Sequence, residues 1–245
     1  MRSKALRFIS YLAFLRDVHS AYGTKIHLNL FYQTDGFNLA ELSDQYKDEW
    51  KANADWLRLS FHALGEFPDQ PYINASYEQA KHDCILVDDQ IKRFAGAALM
   101  GPFTTIHWGE ATREAARAVK DCGYHGLLGY FGLEPSFNGV SYYLEEEKRN
   151  RVNKRFVWKD DEMDMVFTRT SMVIDRETID SINPKMEQYK INNNMPPYLD
   201  FLVHEQYYYP DYFNYQPDYK EKIMKAVKWA VDNGYQPAFV ADCVF

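Results

Sequence analysis

Three histidines stand where buried strands should end. WLRLSF runs into His62, FTTI into His107, and LDFLV into His204, with Glu205 next; Glu66 follows His62 at a spacing of four. Imidazole and carboxylate suit two chemistries. They can hold a hydrolytic ion such as Zn²⁺ through two or three ligands and leave one position open for water. Alternatively, an imidazole trades a proton as a general acid or base near neutral pH. A single histidine closing a strand is ordinarily a core residue satisfied by one hydrogen bond, but three at one topological position are harder to assign to packing. The other four carry no such signal: His19 and His82 fall on helical patterns, His27 inside a strand and His125 after a helix stop.

The elements that must position these residues alternate along the chain. Residues 5–22 place Phe8, Leu12, Leu15, Val18 and Tyr22 at helical spacing, with Gly23 where a C-terminal cap belongs. KIHLNLFYQ alternates as a strand; TDGFN is a polar loop, and LAELSDQYKDEWKANA has a helical pattern. Ser76 and Gln79 form a capping-box spacing that opens a helix toward Phe94. Asp88 and Asp89 lie on that helix, where neighbours diverge by ~100°, so they read as a solvated face and not as a catalytic pair. EATREAARAVKDCG is a helix stopped by Gly123, and YHGLLGYF is strand-like. VSYYL, RFVWKD and MVFTRTSMVI read as strands around a charged turn, a hairpin insertion. Residues 182–198 read as a loop with some helix, KEKIMKAVKWAVDNG as a helix and YQPAFV as a last strand. Strands alternating with helices predict a parallel α/β architecture. In such folds the C-terminal strand ends form the rim where ligands and catalytic groups sit.

Composition narrows the function. The chain has 245 residues, enough for one large α/β domain, and no linker divides it, so a single domain over 1–245 is expected. A net charge of −7 without a basic stripe argues against nucleic acid. No apolar run reaches the ~20 residues of a membrane span. The basic, then apolar N-terminus is broken at Arg16 and Asp17 and offers no cleavage site, which predicts a helix of a cytoplasmic protein. Cys84, Cys122 and Cys243 form no CxxC and read as buried thiols in a reducing compartment. No GxGxxG, GxxxxGK[ST] or GxSxG motif occurs. Aromatic residues make 16% of the chain, clustered in EQYYYPDYFNY, and tyrosine rings suit stacking on sugars.

The order FLRDVHSAYG, KIHLNLFYQ, DWLRLSFHALGE resembles the polysaccharide deacetylase family, the nodulation-protein-B homology domain of carbohydrate esterase family 4. There a strand ends in a metal-binding HxxxH; here His62 fills the first position and Glu66 the second. IHWGEATREAARAVKDCGYHG resembles the family's R-P-x-x-G segment, helix and G-[YF] entry through Gly109, Gly123 and Tyr124, with Ile106 and His107 where the family has Arg and Pro. LDFLVHEQYYY resembles the late motif whose histidine is the catalytic acid, here His204.

The resemblance implies a distorted (β/α)7 barrel, with the hairpin insertion, and removal of acetyl groups from a glycan with a divalent metal, zinc by expectation. His62, Glu66 and His107 would be metal ligands. His204 would be the acid, oriented by Glu205, and Glu66 the remaining candidate base. Trp108, Tyr207 and Tyr208 would be sugar-stacking surfaces. The family's first strand, ending in two aspartates, would precede the helix at residue 5 and is absent from this sequence; Asp35 in TDG follows the second strand and does not replace it. An uncovered sheet edge there suggests a homodimer as one way of closing it. A non-catalytic glycan-binding descendant of the same fold is the alternative.

Overall fold

In the computed structural model, which describes residues 2–129, 131 and 141–244, helices and strands alternate as the sequence suggests. They run α1 Arg2–Tyr22, β1 Ile26–Thr34, β2 Phe37–Asn38, α2 Lys47–Lys51, β3 Leu57–Gly65, α3 Tyr77–Phe94, β4 Phe103–Thr104, α4 Arg113–Asp121 and β5 Gly126–Gly129. Then follow α5 Glu146–Arg155, β6 Val157–Asp160, β7 Met165–Arg169, β8 Met172–Val173, α6 Ile179–Ile191, β9 Phe201–Leu202, α7 Tyr219–Asp232 and α8 Val240–Val244. The result is a mixed α/β protein of two compact units. One is built on His27–Arg169, the other on the segment up to Ile26 together with Thr170–Cys243. No closed barrel is traced among the described strands, which form sets of three, four and two.

The unit of 27–169 holds two strand sets, β2-β1-β3 and β4-β5-β7-β6. A parallel bridge from Leu59 to Met100 couples β3 to the segment entering β4. β5 pairs in parallel with β4 and β7, while β6 returns antiparallel on β7. The expected hairpin is therefore present, but β7 is a central strand of the parallel sheet and only β6 is added at its edge. Leu57, Leu59, Phe61 and Ala63 of β3 are buried, and their face packs on α3, each large side chain contributing about 1.5–3 kcal/mol. Helix α3 starts at Ser76, whose hydroxyl accepts from the Gln79 amide at 3.2 Å. Helix α4 lies close against α3 because Ala115, Ala116 and Ala118 leave room for it. Phe103 and Gly126 face each other across β4 and β5, and the Phe103 ring fills the space where a Cβ on residue 126 would stand, 1.9 Å from the nearest ring carbon.

In the other unit α1 buries Tyr11, Phe14, Leu15 and Val18, a face turned slightly from the expected one; the Phe8 side chain lies outside the described residues. Gly23 ends the helix at φ +70°, its amide bonded to the His19 carbonyl. The strands β8 and β9 pair in parallel, Met172 opposite Phe201 and Val173 opposite Leu202. No helix among the described residues is long and apolar enough to cross a membrane.

Several elements differ from expectation for local reasons. TDG is a two-residue hairpin turn, with Thr34 opposite Phe37 and Gly36 at φ +68°, so Asp35 sits at an exposed tip. LAELSDQYKDEW breaks into short 3₁₀ turns and the five-residue α2, because the Asn38 and Ser43 side chains accept from backbone amides two residues on and cap the chain early. The charged segment after Tyr143 is the helix α5, not a turn: Glu146 and Glu147 stand in its first turn and Lys154 and Arg155 in its last, as the helix dipole favours. VSYYL is turn at its described residues, and Tyr130 of YHGLLGYF, like Val140, lies outside them. A capping box of Thr178 and Ser181 starts α6 just ahead of residues 182–198, where a loop with some helix is expected, and the helix runs on to Ile191. YQPAFV is no strand; Pro237 packs on Gly23 and has no amide to give a ladder.

Candidate functional site

Strand β3 does not stop at His62 but continues to Gly65. The residues between its buried apolar ones, Arg58, Ser60 and His62, share the opposite face. β1 presents His27, Asn29 and Phe31 to them in the same alternation. The Asn29 side-chain oxygen accepts from Ser60 Oγ at 2.7 Å, from Thr104 Oγ1 at 3.2 Å and from the Thr105 amide at 3.1 Å. One acceptor thus ties β1, β3 and the end of β4 together beneath the histidines. His27, deeper in this file, is held neutral: burial and the Arg58 charge push its imidazole down to about 4.

His62 and His107 meet above Asn29. His107 lies three residues beyond β4, in a short turn where Trp108 takes φ +65° and Gly109 φ +59°. A bulky residue in that region is strained, and it turns the indole outward, 43% exposed. His62 Nε2 and His107 Nδ1 face each other at 3.0 Å. The outer nitrogens are both capped: His62 Nδ1 donates to the Thr105 carbonyl, and His107 Nε2 to the Glu66 carbonyl at 3.1 Å. The Phe31 ring stands edge-on to both imidazoles at 4.8 and 4.9 Å.

Proton counting gives this pair its character. Each carbonyl demands an N–H, so each ring spends its neutral-state proton outward. With both outer nitrogens protonated, the two inner nitrogens face one another at 3.0 Å, where a third proton or a metal ion between them would offset the repulsion of their lone pairs. A backbone carbonyl that fixes the tautomer and leaves the other nitrogen as donor is the support a metal-ligating histidine requires. Two nitrogens on a tetrahedral ion at ~2.05 Å each stand roughly 3.3 Å apart, close to the separation here. The pair therefore fits two positions of a divalent-ion shell. Glu66 takes part through its carbonyl; its side chain is exposed. Among the described residues no group of three or more His, Cys, Asp or Glu side chains gathers to hold an ion.

The second arrangement belongs to the other unit. Asp175 lies two residues past β8 and His204 two past β9, so the parallel register places them side by side. The buried Asp175 carboxylate receives the His204 backbone amide at 2.9 Å and the ring Nδ1 at 3.0 Å. This fixes Nδ1 as the protonated nitrogen and leaves Nε2 for exchange, with the ring 41% exposed. The carboxylate that orients His204 is thus Asp175 and not Glu205. Glu205 is bonded by the Tyr209 hydroxyl, and burial raises its carboxyl above the ordinary range. Tyr207 stands edge-on to His204 at 6.1 Å. Tyr208 is packed instead: it stacks on Phe14, donates to the Ser10 carbonyl and lies under Lys220. Asp175 was the missed residue. Its signal was its place just past SMVI, the same strand-end position that singled out the histidines. Asp88 was also misread: it is buried and accepts from Tyr124 at 2.7 Å, while Asp89 is exposed.

No family model matches the sequence, and no curated protein matches it. Two solved structures share the fold. The Xyl-CE4 domain of a multidomain xylanase from the hindgut metagenome of Trinervitermes trinervoides aligns with a TM-score of 0.52 at 11% identity, over 94% of this chain and 82% of that one. The 4-alpha-glucanotransferase from Thermococcus litoralis aligns with a TM-score of 0.58 at 10% identity, over 96% of this chain and 36% of that one, so this chain spans about a third of it. At such identities the similarity is one of fold, and the fold is shared with a carbohydrate esterase domain.

Proposed function

We propose that this chain is a hydrolase of the polysaccharide deacetylase type, with the (β/α)7 barrel as its architecture and acetyl groups on a glycan as its target. The observation that carries the reading is the His62–His107 pair, whose outer nitrogens are pinned by carbonyls and whose inner nitrogens converge. His62 Nε2 and His107 Nδ1 would hold a divalent ion, zinc by the donor type, with Thr105 and Glu66 carbonyls orienting the rings. When bound, such an ion supplies Lewis acidity toward an acyl oxygen and a water of lowered pKa. His204, aligned by Asp175, gives and takes a proton at Nε2. The exposed Trp108 indole and the Tyr207 ring are the sugar-facing surfaces of this reading. The fold shared with the Xyl-CE4 domain supports it, as does a second carbohydrate-active enzyme among the matches.

The test is acetate release from acetylated xylan and from N-acetylglucosamine oligosaccharides, by the full chain, with and without added Zn²⁺. Release is expected only with the ion, lost at least ~10²-fold in His204→Ala, and insensitive to the ion in the His62→Ala/His107→Ala double variant. Binding of these saccharides with unchanged affinity in all variants and no acetate would favour a glycan-binding descendant. The absence of a third metal-ligating side chain among the described residues is the observation on that side.

A further inference from the structure

Gln216 is bonded to both residues that flank the His204 ring. It precedes Pro217, which disfavours a helical backbone before it and keeps the chain extended just ahead of α7. There the Gln216 amide donates to the Tyr207 carbonyl at 3.0 Å, and its own carbonyl accepts from the Tyr219 amide at 3.1 Å, where α7 begins. Its side-chain Nε2 donates to the Asp175 carbonyl at 2.9 Å, and its Oε1 accepts from Lys222 Nζ at 2.8 Å. One residue therefore fixes the backbone at Asp175, whose carboxylate accepts from His204 Nδ1, and at Tyr207, whose ring stands edge-on to the imidazole.

Lys222 decides which way the Gln216 amide points. An ammonium only donates and a backbone carbonyl only accepts, so Oε1 must face Lys222 and Nε2 must face Asp175. Lys222 is 6% exposed, and a lysine is almost never so buried unless it is paired. Its partners are the Gln216 oxygen and the Asp218 carboxylate at 3.2 Å. A second carboxylate would match a buried ammonium better than a neutral amide does. If seating Lys222 were the whole task, glutamate at 216 would serve it better. Glutamine is the residue that accepts from Lys222 and also donates to Asp175.

We propose that Gln216, oriented by Lys222, is a positioning residue for proton transfer at His204. The inference rests on His204 being the proton-transfer group of the proposed hydrolase. Holding the Asp175 backbone keeps its carboxylate on Nδ1, so the ring stays in the Nδ1–H tautomer and Nε2 is left to exchange the proton. The hydrogen bonds from Lys222 through Gln216 and Asp175 to His204 all lie within one compact unit.

The experiment uses the full, nitrogen-labelled chain. It reads the His204 ring nitrogens by long-range proton–nitrogen correlation at a pH where imidazoles are neutral, beside acetate release from acetylated xylan. Wild type should show a single tautomer, protonated at Nδ1, assigned by its loss in His204→Ala. Gln216→Glu keeps the acceptor for Lys222 and removes the donor to Asp175; Lys222→Met keeps the volume and removes the anchor of the amide. Both should move the His204 signals toward a mixture of tautomers and lower kcat ~10-fold or more with KM little changed, the far-UV circular dichroism staying as in wild type. Asn214→Ala, exposed in the same loop, should match wild type in every readout. A wild-type tautomer pattern in folded Gln216→Glu would overturn the proposal, whether or not acetate is released. A mixed pattern in the variants of a protein that releases no acetate supports the positioning and counts against the deacetylase reading alone. Gln216 is a half-buried loop residue, so its variant carries the test even where Lys222→Met does not fold.

Discussion

Asp88→Asn should make the unit of residues 27–169 more stable at neutral pH and leave it nearly unchanged in mild acid. Asp88 is 2% exposed and accepts a hydrogen bond from Tyr124, whose oxygen in turn accepts from the Phe61 amide at 2.8 Å. Burial raises its carboxyl from 3.8 to about 6, a rise that the Tyr124 hydrogen bond and Lys92 only partly offset. Between those pH values the folded chain holds a proton that the unfolded chain has released, so stability falls as pH rises through about 6. At 1.36 kcal/mol per pKa unit the full effect is ~3 kcal/mol. Asparagine keeps the acceptor for Tyr124 and removes the charge. The measurement is urea unfolding of both proteins at pH 4 and pH 7.5. The difference between them should move by about 2–3 kcal/mol in favour of the variant. Asp200, also raised to about 6 by burial, is present in both proteins and cancels. A difference constant across that pH range would show that Asp88 ionises without cost and that the burial argument is wrong.

Other changes test other links. Asp175→Asn should leave the fold and saccharide binding intact while lowering kcat at least ~10²-fold, since the amide no longer fixes the His204 tautomer; a change in KM alone would contradict this. Gly126→Ala should destabilise by ~3 kcal/mol or more, because its Cβ would stand inside the Phe103 ring; in thermal unfolding, Phe103→Leu on the same background should recover part of the loss. Asn29→Ala removes the acceptor shared by three donors and should cost about 2–3 kcal/mol, with the carbonyl-pinned geometry of His62 and His107 disturbed in a zinc-binding titration.

Much of this was legible in the sequence because it depends on local periodicity and capping. Ser76, Gly23 and Gly123 mark helix ends by side-chain or φ preferences that need no tertiary partner. His62, His107 and His204 were legible as strand-end residues, although β3 carries on past His62 and β4 stops three residues short of His107. What escaped depends on pairing across the chain. Asp175 meets His204 only through the β8–β9 register, 29 residues apart. Asp88 is buried because Tyr124, 36 residues away, supplies its hydrogen bond. Glu66 has the right spacing from His62, yet its carbonyl and not its carboxylate reaches His107, a distinction that spacing cannot carry.

The alternation along β3 has a consequence for folding itself. Leu59 and Phe61 face α3, and Ser60 and His62 face Asn29 and Phe31. A slip of one residue would drive the hydroxyl and the imidazole into a dry helix interface and set two apolar side chains against an amide with no donor to accept from. The same residues that give the site its chemistry are therefore the strand's registration marks. Replacing them all with leucine, tolerable on grounds of volume, would leave a strand with two equivalent ways to pair.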